Sequence, residues 1–326
     1  MEDALTVKNA FDLYLQRKLL ADSSIELKER ALRKFIEVMG DMPVKAITYT
    51  EAEDFKTWLV KDNGLSKKSA NIYLANIRPF FHWMAKRSYI DRDPFAGIDR
   101  FRTDKRRKEV FEPVEIEKIL RVADLRWQAI VLLGLCTLRR TEVLNLTISD
   151  LCFKEGYVRI RRKTDSQKTW RWDVKNYQQA VVPMPKMIML PSGPIEIHQV
   201  LKNQVIALKS QYPHQPYICV LPEIYNKIMA MQRDGRLAWT WRNCPWSNFT
   251  RDWRRLLKKA NIRFLRFHDL RATLPTVMAR QGVPMPEVQR LMRHSSINTT
   301  AEYYVSVDED KLIKKTATIA AQFCKK

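Results

Sequence analysis

Residues 268–304 read HDLRATLPTVMARQGVPMPEVQRLMRHSSINTTAEYY. His268 and Arg271 stand three positions apart, so on a helix they project side by side, a donor pair suited to a phosphate oxygen. His294 follows 23 positions after Arg271, and Tyr303, with Tyr304 beside it, 9 positions after His294. Taken singly, each histidine is more often a satisfied structural residue than a reacting one. Yet the chain holds only five, and two stand in this stretch beside an arginine and a tyrosine pair. A further fragment, LRRTEVLNLTISD over residues 138–150, sets Arg139 and Glu142 three positions apart, where a helix would let the carboxylate orient the guanidinium. Alone, such a pair is an ordinary surface ion pair worth little.

Outward from these fragments, the second part of the chain reads as mainly helical with one small antiparallel sheet. Phe249, Trp253, Leu256 and Leu257 form one apolar stripe, with Arg251, Arg254, Arg255, Lys258 and Lys259 over much of the remaining surface. Glu115 to Ala123 and the segment around Ile130 to Leu135 read as helices. Strand-like runs at 151–153 and 157–161 flank the turn Lys154-Glu155-Gly156, and a third run at 181–184 completes the sheet. The first hundred residues are helical. Leu32, Phe35, Ile36 and Met39 recur at helical spacing before Gly40. Thr50 opens a helix that buries Phe55, Leu59 and Val60. Ser66 caps another with Tyr73, Ile77, Phe80, Phe81 and Met84 along it, in which Pro79 predicts a kink. Between Asp99 and Pro113, Arg102, Lys105, Arg106, Arg107 and Lys108 crowd a stretch with little periodicity. The expected organisation is a helical domain over 1–100, a basic linker over 101–112 and a second domain over 113–326.

Composition narrows the partner. Among 326 residues, 58 Lys and Arg against 36 Asp and Glu leave a net charge of +22, which favours nucleic acid or an anionic membrane surface. The length suits two domains at roughly 150 residues each, and a hydrophobic content of 45% argues against disorder. With 8 glycines, a glycine-rich nucleotide-binding protein is not the default. The longest apolar run, Ala129 to Cys136, falls far short of the ~20 residues a bilayer requires. The start, Met1-Glu2-Asp3, is acidic where a signal peptide is basic and then apolar. Cys136, Cys152, Cys219, Cys244 and Cys324 contain no C-x-x-C pair and read as reduced thiols, so a soluble intracellular protein is expected. Against this charge background Arg106 and Arg107 of the linker, Lys67, Lys68 and Arg78 of the first domain, and Arg251 and Arg254 of the second are candidate DNA contacts. A solvated helix face is the alternative reading of each.

The set R-x-x-E, H-x-x-R, H and Y, in this order and spacing, resembles the tyrosine recombinases, the phage-integrase family. The likeness spans nearly all of the chain, because the helical N-terminal segment looks like that family's SAM-like core-binding domain. It implies a two-domain, C-shaped clamp on double-stranded DNA, mainly α with a small antiparallel β-sheet, working as a homo-tetramer. Its C-terminal helix, here within 308–323 with Leu312, Ile313 and Ile319, would be exchanged between protomers. It also implies a site-specific recombinase. Tyr303 would attack a phosphodiester to give a 3′-phosphotyrosine and a free 5′-hydroxyl, a covalent link that conserves the bond energy, so no ATP, metal or other cofactor is called for. Arg139 and Arg271 would clamp the non-bridging oxygens, donors of a kind commonly worth about 3–4 kcal/mol each. His268 and His294 would add hydrogen bonds and help move the tyrosine proton.

The family's general-acid lysine lies in a hairpin between the second and third strands. Counting 24 positions on from Arg139 reaches Lys163, whereas counting 7 back from Val182 reaches Lys175. Thr164 to Val174 reads as an insertion between them, and Lys175 is preferred because Lys175-Asn176 precedes Val181-Val182-Pro183. Lys163 is the alternative. Spacing selects Tyr303 over Tyr304. Thr137 stands where the family's T-G-L-R has glycine, and Arg293 where its Leu-Gly-His has glycine; neither change removes a catalytic group. Glu142, Asp150 and Asp269 are expected to orient arginines and cap helices.

Two other functions fit part of the pattern. A type IB topoisomerase-like enzyme would use the same tyrosine but reseal the original strand; the integrase-like boxes and the C-terminal helix count against it. A non-catalytic DNA-binding module would need the charge alone, and the intact set of Arg139, His268, Arg271, His294 and Tyr303 counts against that. The resemblance also allows for accessory proteins. The chain begins almost directly with the core-binding helices, so no separate arm-binding domain is expected. The resemblance implies a prokaryotic or mobile-element host and a cytoplasmic, nucleoid-associated protein.

Overall fold

The chain divides into two units, residues 1–106 and 107–326. The structure, a computed structural model, describes residues 5–17, 20, 22–103, 109–174, 179–294, 296, 297, 300 and 301. The first unit is built of α1 (Val7–Gln16), α2 (Asp22–Met39), α3 (Tyr49–Lys61) and α4 (Lys67–Lys86). Ser66 caps α4 as expected, its Oγ accepting from Ser69 N at 3.2 Å. Helix α3 starts earlier than Thr50. Its cap is Thr48, whose N donates to Glu51 Oε2 at 2.7 Å in a capping box that the reading from Thr50 overlooked. Phe35, Phe55, Phe80 and Phe81 are fully buried and tilt or stand edge-on to one another, Phe35 and Phe55 with centroids 5.1 Å apart. Asn71 of α4 pins Phe101 by two hydrogen bonds of 2.9 Å, so the packed chain continues into the segment expected as linker.

The second unit runs α5 (Pro113–Val122), α6 (Leu125–Leu135), α7 (Arg140–Leu144), β1 (Leu151–Cys152), β2 (Tyr157–Ile160), β3 (Ala180–Pro183), β4 (Met187–Leu190), β5 (Gly193–Glu196) and α8 (Ile197–Gln211). It continues with α9 (Pro222–Arg233), α10 (Trp239–Asn243), α11 (Phe249–Lys259), α12 (Phe267–Arg280) and α13 (Met285–Met292). From Ala129 to Leu135 every residue of α6 is buried, and the helix packs against both α8 and α12, which is why it is apolar on nearly every face. Val110 and Phe111, expected in the linker, are buried in this unit, and Arg263 ties their flank by a 2.6 Å bond to Glu109.

Strands β1, β2 and β3 form the expected antiparallel sheet, with Leu151 opposite Val158 and Tyr157 opposite Pro183. A second antiparallel pair, β4 and β5, corrects the expectation of one sheet. Its sequence, MIML and GPIE around Pro191-Ser192, lacks polar–apolar alternation, so a period-two pattern does not show. Between β2 and β3, Lys163 and Trp172 pair across the hairpin. The inserted segment is folded into the core: Trp170 stacks on Tyr217 at 3.7 Å and 9°, and its Nε1 donates to Asn145 Oδ1 at 2.8 Å. Burial pushes the thiols of Cys136 and Cys219 up to about 12, leaving them protonated and inert. Cys324 lies outside the described residues. No described helix is long and apolar enough to cross a membrane.

Candidate active site

Aromatic packing sets the helix that carries two of the candidate residues. The buried face of α11 offers Phe249 and Trp253, which meet Phe267 at 5.1 and 5.6 Å in near-perpendicular contacts. Trp253 Nε1 donates to Leu265 O at 2.8 Å, fixing the approach to α12. Asp269 then closes the helix start by accepting from Arg266 N at 2.8 Å, and it also pairs with the Arg266 guanidinium. Its partner is thus Arg266, and its work is the capping expected of it. His268 and Arg271 share α12, as their spacing requires.

Arg271 is 1% exposed. Its Nη1 donates to Thr137 O and its Nη2 to Met292 O, so it joins the turn before α7 to the end of α13. His268 is exposed at the surface, yet partial desolvation by the surrounding protein, then the positive charge of Arg271, lower it below its ordinary 6.5. It is therefore neutral at pH 7 and able to accept a proton.

Arg139 and Glu142 interact, but in a different way from the expected pair within a helix. Arg139 is the extended residue that caps α7, at φ −75° and ψ 153°. Glu142 Oε2 accepts from Arg139 N at 2.8 Å and Oε1 from Arg139 Nη1 at 2.8 Å. Arg139 Nη2 lies 3.4 Å from Arg293 O. Arg271 thus rests on the carbonyls of residues 137 and 292 and Arg139 on that of residue 293, with His294 next in the chain. Nδ1 of His294 is 3.0 Å from Thr300 Oγ1. Arg139, Arg271 and His294 thus meet in one place, with His268 one turn before Arg271.

Lys163 belongs to a second buried network, at the hairpin between β2 and β3. Its Nζ donates to Asp150 Oδ2, whose carboxylate also accepts from Arg161 Nε at 2.7 Å and from Thr147. Burial lowers the Lys163 ammonium below its ordinary 10.5, more than the charge of Asp150 raises it. Asp150 therefore holds Arg161 and Lys163 instead of Arg139 or Arg271. Lys175, Tyr303, Tyr304, Arg106, Arg107 and the segment 308–323 lie outside the described residues.

The other candidates differ in setting. Lys67 and Lys68 are exposed in the first turn of α4. Arg78 is half-buried, and its Nε and Nη2 have no hydrogen-bond partner among the described residues. Arg251 and Arg254 are exposed on α11 and share an open groove with Asn248, Arg255 and Lys258. Among the described residues no group of three His, Cys, Asp or Glu side chains is placed to hold a metal ion. Two features of the site escaped the sequence. One is the pair between Lys163 and Asp150. The other is the part played by Arg293, whose only local signal is the glycine it replaces.

Known proteins resemble this chain along its length. Residues 222–311 match the phage integrase family, and residues 8–91 match the phage integrase N-terminal SAM-like domain. The tyrosine recombinase XerD of Staphylococcus epidermidis is 22% identical over 308 residues, 91% of this chain and 92% of that protein. The Tn1549 transposon integrase, solved in complex with a circular intermediate DNA, superposes with a TM-score of 0.70 at 19% identity, over 97% of this chain and 100% of that one. A lambda integrase solved as a tetramer bound to a Holliday junction gives 0.63 at 16% identity, over 93% of this chain and 78% of that one. The matched segments lie one in each unit, and the second takes in His268, Arg271, His294 and Tyr303. The chain belongs to the phage integrase family, the tyrosine recombinases.

Proposed function

We propose that the chain cuts and rejoins DNA at specific sites through Tyr303. The observation that carries this reading is the convergence of Arg139 and Arg271 on the carbonyls of residues 137 and 292–293, with His294 next in the chain. The buried Arg271 guanidinium, held by the carbonyls of 137 and 292, and the half-buried Arg139 guanidinium, held by Glu142 and the carbonyl of 293, form a preorganised positive site. Such a site stabilises the extra charge of a pentavalent phosphorane more than the ground-state phosphodiester. Tyr303 Oη attacks phosphorus, its proton passes toward neutral His268, and the 5′-oxygen departs with a proton from a lysine. The 3′-phosphotyrosine is then attacked by the 5′-hydroxyl of a second strand, which restores the tyrosine and a phosphodiester.

Lys163 is our choice for the general acid. It lies in the expected hairpin, and burial lowers its proton affinity, which suits a group that must release a proton. The partner is double-stranded DNA, engaged by four protomers as in the lambda integrase tetramer. In this reading Lys67, Lys68, Arg78, Arg106, Arg107, Arg251 and Arg254 contact the backbone, residues 1–100 and 113–326 act as the core-binding and catalytic domains joined by 101–112, and segment 308–323 is exchanged between neighbours.

The test is covalent capture. Nicked duplexes of random sequence are incubated with the protein, and adducts that survive detergent are recovered and sequenced. The wild-type protein and Tyr304→Phe are expected to enrich one duplex family, whereas Tyr303→Phe captures none. An adduct with Tyr303→Phe, or none with wild type, overturns the assignment. Exchange between two marked duplexes, against simple relaxation of a plasmid, then separates recombination from strand resealing.

A further inference from the structure

Among the described residues, four non-glycine residues adopt the left-handed backbone region, and two of them face each other in this site: Thr137 at φ +67° and Arg293 at φ +53°. That region favours glycine, because a Cβ crowds the neighbouring carbonyl there. Both positions therefore carry side chains against a backbone preference. For Arg293 the structure shows what the side chain does. Its Nη1 donates to Glu142 Oε1 at 3.0 Å and its Nη2 to Glu142 Oε2 at 2.8 Å, a two-pronged grip across 151 positions of chain. Nη2 also lies 3.3 Å from Thr137 O, the carbonyl that holds Arg271.

Glu142 is 2% exposed, and the same two oxygens serve Arg139. Burial pushes the Glu142 carboxyl up, but the hydrogen bond and charge of Arg293, followed by the charge of Arg139, outweigh it and hold the group ionised. Glu142 is thus a carboxylate held by two guanidiniums, and one of these, Arg139, is a proposed phosphate clamp. The carbonyl of Arg293 also lies against Arg139 Nη2 at 3.4 Å. A glycine at 293 would keep that main-chain contact and lose the grip on Glu142.

We propose that Arg293 is a positioning residue for Arg139, locking Glu142 so that the Arg139 guanidinium stands ready for the scissile phosphate. The inference rests on the recombinase reading above. Its action is indirect, because its two terminal nitrogens grip Glu142, the carboxylate that in turn holds the Arg139 guanidinium. Arg293→Gly should relax the backbone and leave the fold intact, while Glu142 gains freedom to turn and Arg139 loses its fixed direction.

The experiment measures single-turnover adduct formation on a nicked duplex recovered by capture with the wild-type protein. The variants are Arg293→Gly, Arg293→Lys, Glu142→Gln and the double variant Arg293→Gly/Glu142→Gln, with DNA affinity and thermal unfolding followed in parallel. Arg293→Gly is expected to slow the chemical step by roughly 10-fold or more, the scale of loss when an orienting partner is removed. It should leave DNA affinity within about 3-fold, the signature of a group that acts in the transition state. Arg293→Lys should recover part of the rate, and the double variant should be no slower than Glu142→Gln. A wild-type rate for Arg293→Gly overturns the inference. So do defects that multiply in the double variant, or a loss of affinity equal to the loss of rate. If Arg293→Gly does not fold, Arg293→Lys carries the comparison against Glu142→Gln. Failure of the wild-type protein to form any adduct overturns the recombinase reading and this inference with it, so the two failures are told apart by the wild-type lane alone.

Discussion

Lys163 and His268 show how desolvation sets chemistry one side chain at a time. An ammonium made more acidic by burial gives up its proton at a lower pH than an exposed lysine, so a general acid at 163 fails early on the alkaline side. The expected result is a cleavage rate that declines as pH rises, with the decline setting in before the ordinary lysine value of 10.5 is reached. Lys163→Ala should be slow on an ordinary duplex and recover on one with sulfur at the bridging 5′ position, because a thiolate leaves without a proton. Lys175→Ala should need no such help, and the opposite pattern would move the role to Lys175. For His268 the sign runs toward acid. The folded protein binds the proton less tightly than the unfolded chain, whose imidazole titrates near 6.5. The stability that this group contributes is therefore present above that value and lost as the pH falls below it toward the lowered folded value.

Helix α12 reaches its place because α6 lets it come close. A Cβ built on Gly134 would lie 2.9 Å from Phe267 Cζ and 3.2 Å from Leu270 Cδ1, and Phe267 cannot retreat, since Phe249 and Trp253 hold its ring. Gly134→Ala is expected to destabilise the protein by about 1–3 kcal/mol, the range for an overpacked core. It should also slow adduct formation, because His268 and Arg271 ride on the helix that must shift; an unchanged melting temperature would refute the argument. At this scale the sequence was uneven to read. The stripe through Phe249, Trp253, Leu256 and Leu257 and the spacing of His268 to Arg271 repeat within one helix, so periodicity exposes them. Strands β4 and β5 do not alternate, and the grip of Arg293 on Glu142 spans 151 positions, so neither leaves a local pattern. The R-x-x-E spacing pointed to the right partners through the wrong geometry, because a helix cap and a helix turn can place the same two residues in contact.

The charge of +22 belongs to the whole molecule more than to its site. Glu142 pairs with Arg139 and Arg293 at the site, while Arg251, Arg254, Arg255 and Lys258 lie open to solvent on α11. Affinity for DNA should therefore depend steeply on salt. If six phosphates are contacted, raising monovalent salt from about 50 to about 200 mM should weaken binding by roughly 1,000-fold. Titrations at four salt concentrations give the slope, and removing Arg251 and Arg254 should flatten it by about 2 units of log K against log salt. A flat slope would mean that the charge does not meet the backbone. Arg271 sits at the opposite extreme from those surface cations. It is the proposed clamp on the phosphate and also the joint between the turns at residues 137 and 292. In evolutionary terms, a descendant freed from selection for DNA chemistry could not discard this residue neutrally. Any replacement would loosen the domain as it silenced it, so decayed copies should lose their fold along with their activity.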